Sequence, residues 1–322
     1  MPIQVLLDDK NISEIMINRP HQVYYEKKGR MTEKEVPEYS VKTLSMLFQL
    51  IATESKQLLN REHPLLSGSL FDGSRVQLVL PPVAKFPVLS VRRKVSQNHD
   101  WEDYADIGYF DQTQLHNENS SEKTSEDSCL LQLYKEKKWH QFLAEAVKLK
   151  KNIVVSGGTS TGKTTLMNAL LNNIDASDRI ILLEDTREID LRQDNIIQLL
   201  SSKGDQGIAK ISLQDLLQCS LRLRPDRIIC GEIRGKEILD FISACSTGHE
   251  GSMTSIHANN PRIAFMRMVQ MYKLNNVPFM TDESIMKELN EVIDIIVQLV
   301  RDEKGRRVET IYYKGALDIR GR

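Results

Sequence analysis

The stretch SGGTSTGKTT, residues 156–165, restricts this chain more than any other. Gly157 is followed, after four residues, by Gly162, Lys163 and Thr164, the spacing G-x-x-x-x-G-K-[ST]. That spacing serves phosphate. Glycines let the backbone curl until several N–H groups face one anion. A helix that starts at Lys163 adds its positive end to the same place. Lys163 then reaches the β- and γ-phosphates, and the Thr164 hydroxyl can hold Mg²⁺. Ordinary residue usage produces the pattern by accident in roughly one chain in a hundred of this length. The flanks argue against accident: residues 152–156 read as a strand entering the loop, and TLMNALL reads as a helix leaving it.

The chain has 322 residues, which exceeds one typical core and suits two domains. Its formal net charge of -1 gives no bulk attraction to nucleic acid. Cys129, Cys219, Cys230 and Cys245 fit neither a zinc spacing nor a disulfide framework, so they read as reduced thiols. The N-terminus has no basic segment followed by an apolar one, and no signal peptide is expected. No run approaches eighteen apolar residues, so no membrane span is expected either.

Residues 1–97 read as a small α+β domain. EIMIN and QVYYE are β-prone, and Lys28-Gly29 marks a turn. After a cap at Ser40, Val41, Leu44, Leu47, Phe48 and Ile51 recur at helical spacing. Asp72-Gly73 marks another turn before the alternating Val76, Leu78 and Leu80. Residues 98–138 read as a polar linker, because HNENSSEKTSEDS has no apolar side chain to offset the entropy of ordering. Helical pattern resumes from Leu130. In residues 139–322 strand-like and helical runs alternate, which predicts an α/β domain with a largely parallel sheet. EVIDIIVQLV and RRVETIYY, either side of RDEKG, predict a hairpin near the end.

A carboxylate is needed beside a phosphate loop, for Mg²⁺ and for the attacking water. Two apolar strands end in acids: IILLEDTREID at Glu184, Asp185 and Glu188, and DRIICGE at Glu232. Parallel sheets put ligands at such strand ends. His249 and His257 lie in STGHEGSMTSIHA. A lone histidine is more often structural; the alternative here is contact with the γ-phosphate or with a water-orienting carboxylate.

The order GGTSTGKTT, LLEDTREI, LRLRPDRIICGEIRG, STGHEGSMTSIHA resembles the Walker A, Asp box, Walker B and His box of the secretion and traffic ATPase superfamily. That superfamily comprises ring ATPases of type II secretion, type IV pili and type IV secretion. HPLLSGSLFDGSRVQLVLPP and LSVRRK resemble the N-terminal domain of its VirB-type type IV secretion members. The resemblance implies a RecA-like P-loop NTPase domain, a homo-hexameric ring, and ATP with Mg²⁺ bound between the two domains. It implies that Gly158, Thr159, Ser160, Thr161, Gly162, Lys163, Thr164 and Thr165 cradle the phosphates. Glu188 would be the catalytic base. Glu232 would be the Walker B acid, which with Thr164 supports the metal. His249 and His257 would sense the γ-phosphate, and Arg92 would reach it from the N-terminal domain, with Arg93 in reserve. It also implies inner-membrane partners at the cytoplasmic face.

The chain departs from the pattern in places. Ser160-Thr161 stands where the family usually has Gly-Ser, so Ser160 must tolerate the required backbone angles. No arginine lies between Lys94 and Asp178, where relatives often carry a second phosphate contact. The absence of a zinc-binding cysteine cluster, and Thr186-Arg187 in place of a proline, lean towards type IV secretion rather than a pilus assembly or retraction motor. A RecA-like nucleic-acid translocase, or a nucleotide-gated scaffold, are the competing classes; balanced charge disfavours the first and Glu188 the second.

Overall fold

The computed structural model describes residues 2–94, 100–111, 113, 125–202 and 208–319. A short helix, α1 (Pro2–Asp8), precedes strands β1 (Ile12–Ile17), β2 (Gln22–Lys27) and β3 (Arg30–Glu35). Lys28 and Gly29 both take positive φ, 51° and 73°, as a two-residue hairpin requires. Helix α2 (Val41–Glu54) follows, and Ser40 caps it by accepting from Thr43 N at 3.2 Å. Strands β4 (Leu65–Ser69), β5 (Arg75–Val79) and β6 (Val88–Arg92) complete a six-stranded sheet ordered β3-β2-β1-β6-β5-β4. Every pairing in it is antiparallel. Leu44, Phe48 and Ile51 of α2 bury against Ile15, Leu78 and Leu89, each removal from water stabilising by about 2 kcal/mol.

Two helices fall in the stretch read as a linker. Helix α3 (Trp101–Asp106) buries no residue. Helix α4 (Ser125–Lys135) sends Leu130 into a core with Phe142 and Tyr313, where it is fully buried.

The remaining chain alternates as its pattern predicts. It runs α5 (Trp139–Lys148), β7 (Ile153–Gly157), α6 (Lys163–Leu171), β8 (Ile180–Glu184), β9 (Ile196–Leu200), α7 (Leu213–Ser220), β10 (Arg227–Cys230), α8 (Ile238–Cys245), β11 (Met253–Ile256), α9 (Pro261–Tyr272), α10 (Asp282–Val292), β12 (Ile295–Asp302) and β13 (Gly305–Tyr313). These strands form one seven-stranded sheet, β13-β12-β7-β11-β10-β8-β9. Pairing is parallel except between β12 and β13, which form the expected hairpin. Helices cover both faces, so the strands are apolar on both sides. Val154, Ile181 and Ile228 meet Leu216, Phe241 and Ile285 on one face. Ile153, Val155 and Leu182 meet Phe142, Met167 and Leu171 on the other.

The two sheets share an interface within the chain. Val79, Val83, Ala84 and Val88 belong to the same core as Leu199 and Ile197. Leu200 N donates to Val83 O at 2.8 Å. Arg179 is completely buried there, donating to Asn18 Oδ1 at 2.9 Å, to Leu223 O at 2.8 Å and to Asn195 Oδ1. Arg224 adds a pair with Glu26 at 2.6 Å.

Candidate functional site

Strands β7, β8 and β10 are brought into register by their parallel pairing through β11. Their carboxyl ends therefore open on one edge, above the start of α6. That edge is where an open parallel sheet offers loop ends and helix N-termini to a ligand. A cleft of about 290 Å³ lies there, with Thr159 to Thr165 along its floor.

The loop has the backbone its sequence demands. Gly162 has φ 92° and Ser160 has φ 60°, so the serine occupies a left-handed conformation that costs about 1 kcal/mol relative to glycine. A Cβ at Gly157 would come within 3.0 Å of Leu299 O, so only glycine lets β12 run this close to the loop. Thr161 Oγ1 ties the turn by donating to Gly158 O at 3.0 Å.

Lys163 folds over this turn. Its Nζ donates to Gly157 O at 3.2 Å and Gly158 O at 3.3 Å, and lies 3.3 Å from His257 Nε2. Burial holds the ammonium below its ordinary pKa, although the Glu232 carboxylate pulls the other way. The N-cap of α6 is Gly162, so no side chain caps the first turn. Uncapped amides and a lysine turned onto carbonyls form a donor set that fits a polyphosphate.

The acids divide into two roles. Glu184 is buried, and its Oε1 accepts from Glu188 N and Ile189 N, both at 2.9 Å, while Gln198 occupies Oε2. It is a brace. The loop it holds presents Glu188, whose Oε2 accepts from Thr164 Oγ1 at 3.1 Å. Glu232 sits across the cleft, with Oε1 2.8 Å from His257 Nε2 and Oε2 2.6 Å from an Arg234 nitrogen. Arg234 also pairs with Asp185 at 3.0 Å. Burial lowers the His257 pKa; Glu232 opposes this and Lys163 adds to it. The hydroxyl of Thr164 and the carboxylates of Glu188 and Glu232 are hard oxygen donors of the kind Mg²⁺ takes together with phosphate oxygens and water.

Thus Lys163, Thr164, Glu188, Glu232 and His257 meet, as do the loop residues Gly158 to Thr165. Arg92 and His249 do not join them within one chain. Both line a second cleft, about 790 Å³, between the two sheets. There Arg92 Nε lies 3.6 Å from Glu14 Oε1, and His249 Nδ1 lies 3.2 Å from Ala244 O. Arg93 is occupied by backbone carbonyls of Asp9 and Ile12. The reason is topological: β6 is a central strand of the first sheet, and that sheet packs on the β9 side of the second. Two cationic residues of the phosphate cleft escape a reading of the sequence. Arg234 stands two residues after Glu232 and could have been flagged by that proximity. Arg306 comes from the distant hairpin, and no local signal marks it.

Residues 119–314 match a family model described as Type II/IV secretion system protein. The type IV secretion system protein VirB11 of Bartonella henselae is 36% identical, over 97% of this chain and 91% of that protein. VirB11 of Brucella suis biovar 1 is 33% identical, over 97% of this chain and 88% of that protein. The crystal structure of the Brucella suis VirB11 ATPase in complex with sulphate superposes with a TM-score of 0.90 at 31% identity, covering 98% of this chain and 97% of that one.

Proposed function

This chain belongs to the VirB11 family of type IV secretion ATPases, and from that premise we propose that its cleft over residues 157–165 binds and hydrolyses MgATP. A VirB11-family ATPase functions in type IV secretion, and this chain is one. The observation that carries the site assignment is the meeting of Lys163, Thr164, Glu188 and Glu232 above an uncapped helix start.

Phosphoryl transfer to water needs positioning and charge neutralisation more than covalent chemistry. Lys163 would leave the loop carbonyls for the β- and γ-phosphates. Mg²⁺, held by Thr164 and by Glu232 or its water shell, would supply neutralisation of the phosphate oxygens. Glu188, held in place by Glu184, would orient the attacking water and take its proton. His257 bridges Lys163 and Glu232, so a γ-phosphate that draws Lys163 away would be felt by both.

The subunits would form a six-membered ring, since the relatives are secretion ATPases of this family. Among the described residues no helix is long and apolar enough to cross a membrane. The ring would dock through inner-membrane components of the secretion machine at the cytoplasmic face. Arg92, turned away from the loop of its own chain, would serve a neighbour's loop, and His249 has no place at its own.

Turnover of MgATP tests the core assignment. Lys163→Ala should reduce turnover by about a hundredfold or more and weaken MgADP binding. Glu188→Gln should reduce kcat by about 10²- to 10³-fold while MgADP still binds. Wild-type turnover in the Lys163 variant would remove the assignment.

A further inference from the structure

The acids of the phosphate cleft do not account for every cation in it. Arg306 lies near the start of β13 and lines the cleft from the flank opposite Glu188 and Glu232. Those acids follow β8 and β10, on one side of β7. The β12–β13 hairpin lies on the other side. Leu299 pairs with Gly157 at the entry to the loop, and two residues further along β12, Arg301 pairs with Arg306. The hairpin thereby overhangs the loop. A Cβ on Gly162 would stand 3.5 Å from Arg306 Cδ, which puts this side chain beside the N-cap of α6.

Among the described residues the Arg306 side chain has no hydrogen bond or ion pair, and it is exposed. Its neighbour Arg307 pairs with Asp302 at 2.7 Å. The acids across the cleft have partners already: Glu232 has His257 and Arg234, Asp185 has Arg234, and Glu188 has Thr164. Three positive sources therefore converge over Gly162: the helix N-terminus, Lys163 and Arg306. Like charges so gathered repel unless an anion lies among them. A guanidinium is well matched to phosphate oxygens.

We propose that Arg306 is a nucleotide-binding residue that grips the diphosphate common to ADP and ATP. The proposal rests on the ATPase reading of this cleft. Its place on the flank away from the acids separates it from the transferred γ-phosphate. A contact made equally before and during transfer changes KM and leaves kcat alone.

The test measures MgADP and magnesium pyrophosphate affinity, and the kcat and KM of MgATP hydrolysis. It compares the wild-type protein with Arg306→Ala, Arg306→Lys and Arg307→Ala. Arg306→Ala should weaken both ligands about tenfold, raise KM by a similar factor and leave kcat within about twofold. Arg306→Lys should recover part of the loss, and Arg307→Ala should match the wild type. Unchanged affinity and KM in Arg306→Ala would overturn the proposal while the ATPase reading stands. A loss confined to kcat, or to MgADP with pyrophosphate unaffected, would also overturn it. A wild-type protein that binds no MgADP would remove the ATPase reading and this inference together.

Discussion

The phosphate cleft and the cleft between the sheets hold similar side chains and differ in how their charges are settled. Each contains arginines, glutamates and a histidine. Around the loop, Lys163 rests on backbone carbonyls, Arg306 is unpaired among the described residues, and the first turn of α6 lacks a side-chain cap. Between the sheets, Arg224 is bound to Glu26 and Asp226, and Arg92 faces Glu14. The second cleft is larger, and its Arg224–Glu26 pair fastens one part of the chain to the other, while Arg75 and Arg222 line it without a carboxylate partner among the described residues. Charge composition, volume and unpaired arginines therefore do not identify the ligand site; an uncapped helix start behind a loop with left-handed Ser160 and Gly162 does.

The largest effect that could break this contrast concerns Arg92. In a ring where Arg92 serves the adjacent subunit, Arg92→Ala and Lys163→Ala each lose turnover alone. Mixing them in equal amounts before assembly pairs intact loops with intact arginines and should restore about a quarter of wild-type activity. Two inactive variants that stay inactive when co-assembled would put Arg92 in the intersheet joint alone.

The next effect concerns Arg179. Burial pushes its pKa down to about 9, and its guanidinium satisfies Asn18, Asn195 and Leu223 O. Arg179→Ala leaves Asn18 Oδ1 and Leu223 O without this donor, while Asn195 Oδ1 keeps Asn18 Nδ2, costing about 3 kcal/mol in urea unfolding. Affinity for MgADP in the folded protein should not change. If both fall together, the joint and the phosphate cleft are not independent.

The smallest effect is pH-dependent. Burial pushes the Glu14 carboxyl up to about 7 from its usual 4.5, although Arg92 opposes the shift. The folded protein then keeps this proton between pH 4.5 and 7 while the unfolded chain has lost it. Stability from this group is complete below the unfolded value, falls across that window and is level above it. Glu14→Gln should therefore be more stable than the wild type by about 1–3 kcal/mol at pH 8, with little difference at pH 4. Equal urea midpoints at pH 8 would show that Arg92 fully compensates Glu14.

Much of the chemistry was legible without coordinates, because the phosphate loop is a local object. The backbone angles of Ser160 and Gly162, the strand before them and the helix after them lie within a few turns of chain. The hairpin at Lys28-Gly29, the cap at Ser40 and the β12–β13 turn are local in the same way. Helices α1, α9 and α10 and strand β9 were not read, and Leu130 of α4 is fully buried inside a stretch that reads as linker. These elements owe their stability to surfaces supplied from far along the chain, as when α10 buries Ile285 and Leu289 in the core beneath the second sheet.

The amino-acid order by itself marked a phosphate-loop pattern at 157–164 and placed Glu188 and Glu232 shortly after two apolar strands. It did so because hydrogen-bond geometry and helix polarity act over a few residues. Only the tertiary structure decided which flank each group occupies. Strand order set Arg306 beside Gly162, and the packing of one sheet on the other carried Arg92 and His249 away. Strand order follows from covering both faces of the sheet with helices, a requirement that no short window of residues expresses.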